Sequence, residues 1–187
     1  MDRATVARTY NALAALNGWP VYCDSTLTFD HPELEKLLAI LEAVRGDRRM
    51  PERADLTARM MKDHLAHMTI YERVAGSRWR VRLMGTRFAG AFGDLTGKII
   101  QDDIPAGRVA RFEATLDLAL RSEGPLRFLA QADVVGKAFL VAEYLVAPLA
   151  DEAGDPAMVL SRAHFSTAVD WTGYLAEAMK RITANAA

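Results

Sequence analysis

Apolar residues recur at helical spacing near both ends of the chain and at strand spacing between them. Val6, Tyr10 and Leu13 fall four and three apart, Asp2 precedes them as a capping acceptor, and Gly18 follows, so 2–17 reads as a helix. Residues 19–29, from Trp19 and Pro20 to Phe29, hold no sustained period and read as an irregular connection. After Asp30, with Pro32 in the first turn, Leu34, Leu37, Leu38, Leu41 and Val44 form one apolar stripe that Gly46 ends. The polar, turn-rich stretch GDRRMPERADL follows, and 57–66 reads as a short helix.

The period then shortens to two. Met68–Val74 and Arg78–Met84 read as strands joined by a tight turn at Gly76 and Ser77. In the second, Trp79, Val81 and Leu83 face one way and Arg78, Arg80 and Arg82 the other. Short helical pieces are expected at RFAGAF and QDDIP, then a longer helix over about 107–122, with Val109, Phe112, Leu116, Ala119 and Leu120 on one face and Gly124-Pro125 as its stop. Strands are expected at about 126–134, 138–147 and 157–167, the last two separated by the turn DEAGDP. A final helix over 170–183 aligns Trp171, Leu175, Ala178, Met179 and Ile182.

Composition narrows the picture. A chain of 187 residues suits one domain with appended helices, large enough to bury a core without disulfides or metals. Cys23 is the one cysteine, so no intrachain disulfide forms, which fits a reducing, cytoplasmic setting. The polar, periodic start is unlike a secretory signal, and no run approaches the roughly 20 apolar residues of a membrane helix. A net charge of −1 exerts no general pull on nucleic acid or anionic membrane, and neither is expected as a partner.

Four short motifs appear in order. Pro51, Arg53 and Asp55 form a Pro-x-Arg-x-Asp element, and Arg82, Leu83, Gly85 and Thr86 end the basic strand as Arg-Leu-x-Gly-Thr. Leu95, Thr96 and Gly97 make a Leu-Thr-Gly turn, and Pro148-Leu149 closes the fourth strand. With the strand, strand, helices, three-strand order, the chain resembles the PAS domain family, in its branch of short single-domain proteobacterial proteins. The resemblance covers about residues 30–167. It implies an α+β fold: a PAS-like five-stranded antiparallel sheet with helices between strands 2 and 3, plus flanking N- and C-terminal helices. Residues 1–50 are then an N-terminal helical extension, 51–168 the PAS-like domain and 169–187 a C-terminal helix. On physical grounds Gly85 and Gly97 suit chain reversals, and Thr86 suits a helix cap.

The family often holds a small molecule between the concave sheet face and the helices. Phe88, Phe92, Phe112, Leu116, Tyr144 and His164 come from elements that would face that space. The competing reading is a filled core with no ligand, in which Tyr144 and His164 bond each other. The arginine stripe offers a second candidate, with Arg82 joining the ligand set and the stripe gripping a phosphate group. Against it stands pairing with acids such as Glu72 or Glu143.

Other chemistry finds little support. His64 and His67 stand three apart without further zinc ligands, no CxxCH marks a haem, and no cofactor is named by the sequence. Cys23 precedes the domain and lacks the surroundings of the adduct-forming cysteine of flavin-binding PAS photosensors. GxSxG, P-loop and dinucleotide motifs are absent, as are histidine-kinase and cyclase motifs. An acid–base pair of Asp103 or Asp133 with His164 has no sequence support. The expected function is therefore a non-catalytic sensory or regulatory module that binds a small molecule, a signalling protein, or both. A pure interaction adaptor is the alternative, and a small cone-shaped isomerase or dehydratase the more distant one. The strand KAFLVAEYLVAPL is apolar on both faces, so its outer face needs a cover, either an N-terminal helix or a second subunit, and a homodimer is expected.

Overall fold

Alternation between apolar and arginine positions at 78–84 yields the strand it predicts, and that strand is one edge of a single antiparallel sheet. A computed structural model of the chain describes residues 1–122, 124–132, 139–168 and 170–185. In chain order the elements are α1 (Arg3–Leu16), β1 (Val21–Asp24), α2 (Pro32–Arg45), α3 (Ala58–Met61), β2 (Met68–Val74) and β3 (Arg78–Met84). There follow α4 (Thr86–Phe92), α5 (Ile100–Asp103), α6 (Ala106–Arg121), β4 (Leu126–Gln131), β5 (Leu140–Ala150), β6 (Pro156–Thr167) and α7 (Trp171–Asn185).

The strand order is β1-β4-β5-β6-β2-β3. Its last five members are the five expected strands, with the helical segment inserted between β3 and β4. The sixth, β1, corrects the reading of 19–29 as irregular: Val21–Asp24 pairs in register with Ala130–Arg127. Four residues are too few for a period of two to stand out, and β1 is stabilised from outside. The Asn11 side chain accepts from the Cys23 N–H at 2.7 Å and donates to the Cys23 carbonyl at 2.9 Å, occupying the edge that β4 does not reach. The helix expected at 57–66 is also shorter, ending at Met61 with a separate 3-10 turn over Leu65–His67. The strand ends expected at 133–134 and 138 lie outside the described residues.

Of the two caps expected from sequence, Asp2 and Thr86, the first is present, and His31 supplies one that was not expected. Asp2 accepts from the Thr5 N–H at 3.0 Å, and His31 Nδ1 accepts from the Glu33 N–H at 3.3 Å. Thr86 is not a cap: it is the first residue of α4, behind Gly85, and no side chain caps that helix. Gly85 has an ordinary φ of −70°, so it is not required for a reversal. A Cβ there would collide with the Leu65 and Ala66 carbonyls, which makes close backbone approach its reason. Gly97, at φ +82°, does occupy the left-handed region.

The sheet carries a core on each face. On the inner face α1, α5 and α6 bury Val6, Tyr10, Ile100, Leu116 and Leu120 against Phe128, Val146, Val159 and Trp79. On the outer face α2 lays Leu34, Leu37 and Leu41 on Ile70, Leu145, Leu149 and Leu160, each helix leucine contributing roughly 1.5–3 kcal/mol by burial. The cover required by the doubly apolar β5 is therefore α2 of the same chain. Residues 1–50 supply one helix to each face and a strand to the sheet.

Candidate functional site

The helical period that put Phe112 and Leu116 on one face of α6 also brings Arg108, Arg111 and Thr115 to that face, and these five roof a cavity over the sheet. Phe88 and Phe92, one turn apart on α4, close its side. The floor is Tyr71 of β2, Phe128 and Ala130 of β4, Tyr144 and Val146 of β5 and Ser161 of β6, with Val21 of β1 at the margin. Within it about 80 Å³ is open to the centres of water-sized molecules. A single water needs about 10–15 Å³ of such space, so the cavity holds about five to eight waters or a compact organic molecule of similar bulk.

The walls are aromatic. Phe88 lies 5.7 Å from Phe92, 6.2 Å from Tyr144 and 5.6 Å, edge-on, from Phe165, and Tyr71 lies 6.4 Å from Phe112. Few polar groups interrupt them. Thr115 Oγ1 donates to the Arg111 carbonyl at 2.8 Å and shares a 2.8 Å hydrogen bond with the Tyr10 hydroxyl. Arg111 Nη2 donates to the Gln131 carbonyl at 3.2 Å, whereas its Nη1 is buried without a partner. Among the described residues the Tyr144 hydroxyl makes no hydrogen bond; burial pushes its pKa up to about 12, against the pull of the Arg111 charge. Burial raises Tyr71 as well, and Tyr144 adds to the rise. Both phenols are thus neutral at ordinary pH and able to donate.

Five of the seven ligand-set residues expected from sequence, Phe88, Phe92, Phe112, Leu116 and Tyr144, line this cavity. His164 and Arg82 do not. His164 pairs across β5–β6 with Glu143, and Tyr144 pairs with Ala163, so the pleat sends Tyr144 inward and His164 outward and they cannot bond. Arg82 is on the exposed side of β3, where it and Arg80 share Glu72 at 2.8 and 2.5 Å, while Arg78 pairs with Asp102. Glu143, considered as a partner for that stripe, is taken by Arg127. Sequence reading missed the rest of the lining, notably Arg111, Tyr71 and Phe128. The signal for Arg111 was present, since it stands one residue before Phe112 and four before Thr115, but a surface role for an arginine is the usual one.

On the outer face, His164 stacks on His31 with ring centroids 3.5 Å apart. Burial, then the charges of His31, Arg162 and His67, lowers the His164 pKa; burial and Arg162 lower those of His64 and His67 also. Beside this cluster lies a buried ionic network. Arg127, 1% exposed, donates to Glu143 at 2.6 Å, Asp24 at 2.9 Å and Asp30 at 3.2 Å. Arg181 of α7 reaches the same Asp30 at 2.8 Å. Cys23 is buried, and burial, helped by Asp24, pushes its thiol up to about 12, leaving it unreactive. Asp103, weighed as an acid–base partner, accepts from the Ile99 N–H at 2.8 Å, and Asp133 lies outside the described residues. Among the described residues no group of three or more His, Cys, Asp or Glu is placed to hold a metal, and no helix is long and apolar enough to cross a membrane.

Comparison with known proteins agrees with this architecture. The PAS domain family matches residues 29–162, most of the chain and nearly the span carrying the sequence motifs. No curated protein matches. With five strands in the expected order, helices between the second and third of them, and a family match over most of its length, the chain belongs to the PAS domain family.

Proposed function

We propose that this protein is a sensory or regulatory module that takes a small, largely apolar molecule into the cavity under α6 and relays its presence to a partner protein without chemical turnover. The observation that carries the reading is the cavity itself: an aromatic-walled space with few polar groups has the composition of a small-molecule site. A filled-core adaptor would have no such space.

A relay route is built into two strands. Phe128 and Tyr144 floor the cavity, and their chain neighbours Arg127 and Glu143 project to the opposite face, where Arg127, Asp30 and Arg181 tie the sheet to α7. A ligand that moves β4 or β5 alters the geometry of that tie, and α7 passes the change outward. A second copy of the chain joins the proposal as a partner by resemblance, with assembly serving regulation. The buried single cysteine suits the cytoplasm.

Native mass spectrometry of the purified protein, compared with the same sample denatured, tests the reading and counts chains in the assembly. Extra mass that disappears on denaturation supports the sensor. A clean polypeptide mass, with no thermal stabilisation by any member of a metabolite panel, favours the adaptor.

A further inference from the structure

The polar atoms of the cavity point to the class of molecule it takes, an inference that rests on the ligand-binding reading above. We propose that the ligand is a compact carboxylic acid with an apolar body, its carboxylate received by Arg111 and the Tyr144 hydroxyl. Arg111 stands on the cavity face of α6, held from one side by the bond from Nη2 to the Gln131 carbonyl. Its Nη1 is buried and unsatisfied, and among the described residues Arg111 has no ion-pair partner. A buried guanidinium nitrogen without a partner is costly, and an anion that reaches it removes that cost. No Asp or Glu is among the described residues that line the cavity.

The second donor is within the same field. The Arg111 charge acts on Tyr144, and the phenol, unpartnered among the described residues, stays protonated because burial raises its pKa. A planar guanidinium and a neutral hydroxyl, both donors, match the two oxygens of a carboxylate. Phe88, Phe112, Leu116 and Val146 offer hydrocarbon and aromatic wall for the body of the molecule, with Arg108, Thr115 and Ser161 as further polar edges. The size of the space favours a benzoate-sized molecule over a nucleotide, which is more than twice as large.

The test uses benzoate and its neutral isostere benzyl alcohol, with binding to the full chain followed by saturation-transfer NMR titration and thermal shift. The wild type should prefer benzoate by about tenfold or more, the scale of a charge-assisted bond. R111M should lose that preference while still binding benzyl alcohol, which also shows that the variant is folded. R111K should retain part of it, Y144F should weaken benzoate several-fold, and L116W, which fills the space, should abolish both. Equal binding of the two probes by the wild type, or an undiminished benzoate preference in R111M, overturns the carboxylate assignment and leaves the cavity reading standing. Failure of both probes to bind overturns the carboxylate assignment, and the cavity reading falls with it only when the metabolite panel gives no stabilisation either.

Discussion

Arg127 shows how much a single buried side chain is asked to do in this sheet. It sits at a β4 position whose neighbours face hydrocarbon, yet three carboxylates converge on it, and Glu143 also accepts from the Asp30 and His31 backbone N–H groups at 3.0 and 3.1 Å. Replacing it leaves Asp24 and Glu143 buried without a counter-charge. R127M should therefore lose about 3–5 kcal/mol in guanidinium unfolding, more than an apolar truncation of similar size at the surface. Gly85→Ala should cost roughly 1–3 kcal/mol by the same measurement, because the obstacle is the backbone of Leu65 and Ala66 rather than a side chain able to move. Protonation offers a third residue-scale expectation. His64, His67 and His164 all have folded pKa values below the ordinary 6.5, so the unfolded chain binds more protons as pH falls past that point. Their contribution is fully present above about pH 6.5 and is lost as pH drops through the folded values. Denaturant midpoints should fall between pH 7 and 5, before the carboxylates protonate, and H164Q should flatten that slope.

At the scale of elements, β1 and α1 act as one unit. A four-residue edge strand would be open on its far side, but Asn11 satisfies both backbone groups of Cys23, and Tyr10 packs edge-on against Phe128 at 5.0 Å while bonding Thr115 of α6. N11A strips two hydrogen bonds from that strand at once and should destabilise the protein by about 1–3 kcal/mol, read as a lowered melting temperature. The opposite edge is protected in a different way. Gly97 donates to the Val81 carbonyl at 2.7 Å and Val81 to the Lys98 carbonyl at 2.9 Å, so a loop lies along β3.

Over the whole molecule, those two edge covers and the helices on each face leave the fold complete within one chain. Because α2 supplies the outer cover, a second subunit is not needed to bury β5. The melting temperature should then change little over about a hundredfold range of protein concentration, rising only modestly by mass action where a weak regulatory dimer forms. A strong rise with concentration would show that folding and assembly are one event. Leu16, 84% exposed at the end of α1, should accept L16E with less than about 0.5 kcal/mol change in stability.

Much of this was determined by local pattern. The stripes of α2 and α6, the alternation of β3, the helix over 170–183 and the order of the five main strands follow from period and punctuation, which depend only on neighbouring residues. That is why the cavity residues carried on helices, Phe88, Phe92, Phe112 and Leu116, were identifiable before any contact was known. Tertiary structure decided the rest. The register of β5 against β6 sent His164 to the face opposite Tyr144, which the sequence could not show because β5 is apolar on both sides and no alternation marks its inner face. Long-range pairing made a strand of VYCD, gathered three acids around Arg127 and left Arg111 Nη1 buried without a partner. Each of these depends on residues up to about a hundred positions apart meeting in space, and no periodicity in one chain segment encodes such a meeting.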